Sequence, residues 1–156
     1  DDDGQSEIAR YDPVTGRRTV LVPAASLTPE GASRSIPIAD YRWSEDGRKL
    51  LVFTNTRRVW RRNSRGDYWV LDLADDSFRR IGGDLEPTWF QFAKFSPSGD
   101  AVAFVHRNDL HVESLDGGSP VPLTHDGSAT LINGTFDWVY EEEWSLRDGF
   151  RWSPDG

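Results

Sequence analysis

Cysteine is absent from this sequence of 156 residues, and no apolar run is long enough to cross a membrane. A disulfide framework and a thiolate metal site are therefore excluded, because both need cysteine. A membrane-spanning helix needs about 18 apolar residues, so none is expected. The start at Asp1, Asp2 and Asp3 also lacks the basic and apolar regions of a signal peptide. Any export signal is expected to have been removed or left out.

Basic residues are fewer than acidic ones: 18 Lys and Arg stand against 26 Asp and Glu, for a net charge of -8. Such a surface repels phosphate backbones, so nucleic acid is not an expected partner. Aromatic residues, by contrast, are abundant, with seven Trp, four Tyr and eight Phe. This composition favours a folded domain over a disordered chain.

An internal repeat organises the chain. Tyr41–Phe53 matches Ala93–Val105, and Phe150–Gly156 begins a third copy. Each copy contains an aromatic residue, a serine, a turn that ends in glycine and, where the copy is complete, an apolar run, which is typical of a β-hairpin. The period is close to the roughly 50 residues of a four-stranded propeller blade. The aromatic residues of the three copies are 52 and 57 residues apart: Trp43, Phe95 and Trp152.

The repeat predicts an all-β fold, part of a β-propeller with about three four-stranded blades and a short helical insertion. A propeller cannot close on so few blades, so the chain is either a fragment or needs a partner. The end at Gly156, inside a repeat's turn, favours a fragment. The predicted parts are the outer strands of one blade and a connection (1–38), two blades (39–85 and 86–131), the insertion (132–147) and the start of another blade (148–156).

The segment Ile132–Trp144 interrupts the blade pattern and is predicted to contain the helix. Asp137 is a good N-cap, and carboxylates in the first turns suit the helix dipole. Successive helical residues lie about 100° apart, so Glu142 and Glu143 are expected to converge while Glu141 faces elsewhere. Two converging carboxylates repel each other unless a cation lies between them.

Two interpretations of this acidic run remain open. A helix start that is simply solvated is the more common structure for such a pattern. The aromatic side chains interleaved with the acids favour a partly desolvated pocket that holds an ammonium group. These aromatic residues are Trp138, Tyr140 and Trp144.

A basic cluster, Arg57–Arg65, stands out in this acidic chain. It could form a helix with an arginine stripe for an anionic partner, or a charged edge strand that discourages aggregation. One of its arginines could instead point at a carbonyl group. The pattern favours the edge strand, and the strands predicted on either side make the helix the weakest alternative.

The string Asp137–Glu143, followed by the blade start Phe150–Gly156, resembles the double-glutamate motif of the dipeptidyl peptidase IV-like family of the prolyl oligopeptidase superfamily. Val59–Arg62 stands one blade earlier, where that family has a Trp-Arg pair. The order of turns and strands agrees from about Glu7 to Gly156. The resemblance implies the N-terminal β-propeller domain of a serine-type dipeptidyl peptidase that releases X-Pro or X-Ala dipeptides.

The resemblance also implies roles for individual residues. Glu142 and Glu143 would bind the free α-amino group of a peptide substrate. Arg61 would contact the carbonyl oxygen of the residue second from the scissile bond, and Arg62 would have a lesser role. Three aromatic residues would support this pocket: Tyr140, Trp138 and Trp60.

No catalytic residue is expected in this chain, because the family's Ser, Asp and His lie in a following α/β-hydrolase domain. No G-x-S-x-G elbow occurs in the sequence. The family further implies a homodimer, a periplasmic or secreted location and no cofactor, and the composition suggests a bacterial source. The alternatives are a non-catalytic propeller scaffold and a tripeptidyl or acyl-peptide relative.

The three histidines, His106, His111 and His125, are expected to be structural or surface residues. No metal site is expected, because His106 and His111 are five residues apart and would face opposite sides of one strand.

Overall fold

The computed structural model describes residues 4–156 and is built mainly of β-strands. The predicted all-β fold with one short helical insertion is confirmed. Of the helices in residues 4–156, none has the length and apolar character that crossing a membrane requires. The elements are β1 (Ile8–Tyr11), β2 (Arg18–Val22), a 3-10 helix (Ala24–Leu27), β3 (Asp40–Trp43), β4 (Lys49–Val59), β5 (Arg62–Asp72), β6 (Ser77–Arg80), β7 (Phe90–Phe95), β8 (Ala101–His106), β9 (Asp109–Ser114), β10 (Val121–Pro122) and α1 (Trp138–Trp144).

The strands group into one hairpin and two four-stranded units. β1 and β2 form a separate antiparallel sheet. β3 to β6 form the first unit and β7 to β10 the second, each with antiparallel neighbours in chain order. This meander is what the repeat predicts for successive blades, because each copy supplies one hairpin and the residues after it supply two more strands.

The serine of each repeat explains why the turn recurs. In the first copy the Ser44 hydroxyl donates to Asp46 Oδ1 at 2.7 Å and accepts from the Lys49 N–H at 2.9 Å. In the second copy Ser96 Oγ accepts from the Ala101 N–H at 3.1 Å. The buried hydroxyl thus satisfies backbone groups that the turn would otherwise leave unpaired.

β5 joins the two units into one eight-stranded sheet. It pairs with β4 along most of its length, and its residues Arg65 and Gly66 pair with Gln91 and Phe90 of β7. Gly66 stands where the backbones approach closely: a Cβ there would lie 2.5 Å from the Thr54 carbonyl oxygen. A side chain at this position would therefore force β4 and β5 apart.

The core is divided in the same way as the sheet. One buried cluster lies across the junction of the two units and contains the stacked rings of Phe53 and Tyr68, whose centroids are 4.6 Å apart. A second cluster joins the β1–β2 hairpin to the first unit through Ile8, Val22 and Leu50.

A buried carboxylate also links the two units. Glu113 on β9 is 2% exposed, and its Oε1 accepts a hydrogen bond from Arg79 Nη1 on β6 at 2.6 Å. Its Oε2 accepts from the N–H of Gly82, in the connection between the units. Both oxygens are therefore satisfied by groups outside the strand that carries them, as a buried charge requires.

We expect Glu113→Ala to lower the free energy of unfolding by about 1–3 kcal/mol, because the buried Gly82 N–H and Arg79 lose their acceptor. Urea denaturation followed by tryptophan fluorescence measures the change. The control is Glu45→Ala, which removes an exposed carboxylate in the first repeat's turn and should leave stability within about 0.5 kcal/mol. Equal stability of the two variants would contradict the role given to Glu113.

His106 and His111 face each other across the β8–β9 hairpin. Their ring centroids are 5.9 Å apart, and the His106 ring also contacts Phe90 at 4.9 Å. The spacing rule for one strand does not apply to them, because the turn at Arg107 and Asn108 places them on different strands. Burial lowers the pKa of His106, although its hydrogen bond to the Glu86 carbonyl oxygen opposes the shift.

The lowered pKa of His106 predicts a pH-dependent stability. The unfolded chain takes up a proton near pH 6.5 that the folded chain resists. The stabilisation is thus complete above this value and is lost as the pH falls through the lower pKa of the folded state. Between about pH 8 and about pH 5.5, the free energy of unfolding should fall less for His106→Gln than for the unsubstituted protein. Urea denaturation at the two pH values measures this difference.

The matched control for this measurement is His125→Gln, because His125 is exposed in the loop after β10. Its loss between the two pH values should equal that of the unsubstituted protein. A His106→Gln variant with the same pH dependence as the control would show that His106 does not carry the effect.

Candidate functional site

Helix α1 begins and ends as its local sequence dictates. Asp137 Oδ1 accepts hydrogen bonds from the N–H groups of Val139 at 3.0 Å and Tyr140 at 3.2 Å, so the predicted N-cap is present. Ser145 ends the helix in the left-handed conformation, with φ of 55°. The seven helical residues between these caps include the three consecutive glutamates.

The insertion that carries α1 is closed at its base by backbone hydrogen bonds. The N–H of Phe136 donates to the Arg147 carbonyl oxygen at 3.0 Å, and the N–H of Gly149 donates to the Gly134 carbonyl oxygen at 2.8 Å. Thr135 and Asp148 form an isolated antiparallel bridge between these two bonds. The helix is therefore presented by a closed loop.

Lys94 of β7 attaches this loop to the second unit. Its Nζ contacts the Asp148 carboxylate, donates to the Phe150 carbonyl oxygen at 2.9 Å and lies 4.2 Å from the centroid of the Phe150 ring. The indole N–H of Trp152 donates back to the Lys94 carbonyl oxygen at 3.2 Å. Burial lowers the pKa of Lys94, and the hydrogen bond to Asp148 opposes that shift.

The acidic helix meets the basic cluster at the tip of the β4–β5 hairpin. Arg61 Nη1 lies 3.0 Å from Glu142 Oε2, and Arg62 Nε lies 4.0 Å from Glu141 Oε1. These four side chains and Ser145 line a cavity of about 360 Å³. Two segments that are about 80 residues apart in the sequence thus form one charged site.

The basic cluster is not the continuous edge strand that its pattern favours. Arg57–Val59 closes β4, Trp60 and Arg61 form the turn, and Arg62–Arg65 begins β5. The physical reason is the length of the hairpin: β4 and β5 each have 11 residues and extend past the four-residue β3. Trp60 adopts a left-handed φ of 51°, which allows the tight reversal.

The three glutamates differ in burial, and the pair that faces the cavity is not the predicted one. Glu141 is only 6% exposed, the Glu142 side chain is 18% exposed and Glu143 is exposed. The expectation that Glu141 faces elsewhere is therefore wrong, because Glu141 and Glu142 are the neighbours that line the cavity. The convergence of Glu142 with Glu143 on one cation stays a prediction. The 100° step per residue places Glu143 about 200° from Glu141, on the solvent side.

Two further residues line the cavity. The sequence predicted that Glu141 faces elsewhere and that Arg62 has a lesser role. The Oε1 atom of Glu141 is buried and has no hydrogen-bond partner within residues 4–156. Arg62, at 4.0 Å, is the cation beside it. Helical spacing alone could not indicate which adjacent pair of glutamates faces the hairpin, since that depends on how the insertion is attached.

The three aromatic residues expected to support the pocket lie outside its lining. Trp138, Tyr140 and Trp60 are 53%, 44% and 43% exposed. Tyr140 stacks on Phe136, with centroids 5.2 Å apart, and also contacts Trp144. Within residues 4–156 these rings therefore form no part of the cavity wall.

The four-stranded units and the inserted helix define a segment of a β-propeller. A family model, the dipeptidyl peptidase IV (DPP IV) N-terminal region, matches residues 44–156. The chain belongs to this family. The double-glutamate resemblance seen in the sequence is thereby confirmed at the level of the family.

Individual relatives give the same result. The chain is 37% identical to a probable dipeptidyl-aminopeptidase B of Phaeosphaeria nodorum over 72% of its length, and 33% identical to one of Aspergillus oryzae over 100%. It spans only 12% and 17% of the lengths of these relatives. The names of these relatives are consistent with a region of a peptidase. These two relatives are fungal, so they give no support to the bacterial source suggested by composition.

A solved structure shows the same architecture. The crystal structure of Porphyromonas gingivalis dipeptidyl peptidase 4 superposes with a TM-score of 0.80 and 28% sequence identity. The match covers 97% of this chain and 21% of that one. The fold of this segment is thus that of part of a dipeptidyl peptidase.

We expect Lys94→Met to loosen the insertion, because the substitution removes the contacts of the Lys94 ammonium group with Asp148 and Phe150 at the base of the loop. Hydrogen exchange should accelerate at the amides of Phe136 and Gly149, whose hydrogen bonds close the loop. Amides of β8 should be unchanged. The matched control is Lys49→Met, which removes the other lysine of the chain and its ion pair with Asp72. Unchanged exchange at both loop amides would contradict the role assigned to Lys94.

Proposed function

We propose that this chain is the substrate-recognition propeller region of a serine-type dipeptidyl peptidase that removes X-Pro or X-Ala dipeptides from peptide amino-termini. The observation that carries the proposal is the Arg61–Glu142 ion pair, which joins the hairpin tip to the helix in a member of the dipeptidyl peptidase IV family. The relatives' names support the dipeptidyl specificity.

Glu142 retains the capacity to bind an ammonium group while paired with Arg61. Its Oε2 is the atom 3.0 Å from Arg61 Nη1. A carboxylate offers about four lone-pair sites on two oxygens, so Oε1 remains available as an acceptor. Its partial burial favours such an interaction, because charge-assisted hydrogen bonds strengthen as water is excluded.

Glu143 supplies the second carboxylate of the proposed clamp. Its side chain is exposed on the next helical position and makes no hydrogen bond or ion pair within the described residues 4–156. Its flexible side chain is free to approach, from the solvent side, an ammonium group bound to Glu142. The family resemblance of Asp137–Glu143 is the support for this assignment.

Arg61 performs a second task in the proposal. A guanidinium has five N–H donors, and the contact with Glu142 occupies only part of this fork. The remaining donors can bind the carbonyl oxygen of the substrate residue second from the scissile bond. The amine and this carbonyl would then be fixed together, which sets the distance from the peptide's amino-terminus to the bond that is cleaved.

The bond-breaking groups belong to another part of the protein in this proposal. The serine, aspartate and histidine would come from a hydrolase domain, and this segment would position the peptide for them. A bound amino-terminus places the second peptide bond at the nucleophile. Release of dipeptides follows from that spacing.

We expect Glu142→Gln and Glu143→Gln, each made in the full-length protein, to reduce kcat/KM for X-Pro substrates by roughly ten- to a few-hundredfold. The cause is the loss of a hydrogen bond to a charged group. Acetylation of the substrate's amino group should reduce turnover of the unsubstituted protein by a similar factor. A chromogenic dipeptide assay measures all three.

The control is Glu30→Gln, because Glu30 is exposed and far from the helix in sequence. It should leave kcat/KM unchanged. Full activity of both helix variants, with folding verified by circular dichroism, would remove the clamp assignment.

A further inference from the structure

A larger cavity lies beside the candidate clamp. Its volume is about 530 Å³, and residues of β3, β4, β5, β7 and the end of the insertion form its walls. Four basic side chains are part of the lining: Arg42, Arg62, Lys94 and Arg147. This concentration of positive charge contrasts with the net charge of -8 for the whole chain.

The positive charge of this cavity is only partly neutralised. Lys94 is paired with Asp148. Arg42 and Arg147 make no side-chain hydrogen bond or ion pair with any residue that the structure describes, and Arg147 is half-buried. The remaining carboxylate in the lining is Asp40, which accepts a hydrogen bond from the N–H of Tyr41.

The larger cavity is continuous with the clamp through shared residues. Arg62 and Ser145 line both cavities, whereas Arg61 and Glu142 line only the smaller one. A group bound to Glu142 therefore has two neighbouring directions, one toward Arg61 and one toward Arg62 and Ser145. Glu141, which is 4.0 Å from Arg62, is the carboxylate at this junction.

We propose that the larger cavity receives the side chain of the substrate's first residue and selects for an acidic one. The proposal rests on the proposed function, because the clamp fixes the amine. The α-carbon of the first residue is one bond from that amine, so its side chain must enter space next to the clamp. The first carbonyl is directed to Arg61, which leaves the direction of Arg62 and Ser145 for the side chain.

Charge determines which side chain is preferred. A glutamate or aspartate carboxylate at this point approaches Arg147, Arg42 and Arg62, two of which have no other partner in residues 4–156. A lysine or arginine in the same position meets like charges, which raises the free energy of the complex. A neutral glutamine, of nearly the same shape as glutamate, experiences neither effect.

The test uses the full-length protein and three substrates that differ only in the first residue: Glu, Gln or Lys, each followed by proline. We expect kcat/KM for the Glu substrate to exceed that for the Gln substrate by roughly three- to thirtyfold at low salt, between the value of an exposed ion pair and that of a charge-assisted hydrogen bond. The Lys substrate should be the poorest. The preference should shrink as salt screens the charges.

Two substitutions connect the preference to the cavity. Arg147→Gln and Arg42→Gln should each lower the Glu-to-Gln ratio toward one while leaving kcat/KM for the Gln substrate nearly constant. The Gln substrate thus reports whether each variant is folded and active. The control is Arg48→Gln, which alters an exposed arginine outside the cavity lining and should keep the ratio of the unsubstituted protein.

The outcomes separate this inference from the proposed function. If acetylated substrates are cleaved as well as free ones, the clamp itself is absent and both proposals fail. If the free amine is required but the Glu-to-Gln ratio is one, only the selectivity proposal fails. A ratio that both arginine substitutions leave unchanged overturns it as well.

Discussion

The pairing of β5 with strands of both four-stranded units is the constraint on which the site depends. The first half of β5 pairs with β4 on one side and, at Arg65 and Gly66, with β7 on the other, which sets the direction in which the hairpin tip extends. Gly66 permits the close approach of β5 to β4 at the same place, since any side chain there would collide with the Thr54 carbonyl of β4. The position of Arg61 is therefore a consequence of backbone hydrogen bonding well inside the sheet, and its own side chain only completes the contact.

Electrostatics then gives this acidic chain a localised basic region. The arginines of the hairpin tip face the glutamates of α1, and the buried carboxylate of Glu141 has the cation of Arg62 nearby. The alternation of acid and base lets the site hold several charges without large repulsion. It also leaves the outward-facing Glu143 and the guanidinium of Arg147 available for a ligand of either sign.

Local signals in the sequence predicted the parts of the fold that depend on neighbours in the chain. The serine-containing turns and the Asp137 cap were predicted because each satisfies backbone groups within a few residues. Features set by long-range packing were not. The glutamate pair that faces the hairpin depends on how Lys94 holds the insertion, and the meeting of His106 with His111 depends on a turn between strands. Periodicity gives the angle between residues, but it contains no information about the direction of the partner.

The two halves of the charged contact are anchored to different units of the sheet. Arg61 is carried by the first unit, whereas the helix with Glu142 is tied to the second through Lys94. A small rotation of one unit against the other would consequently change the separation of this ion pair. The geometry of the charged site therefore depends on how tightly the two neighbouring units are packed against each other, although the residues that form it belong to neither core cluster.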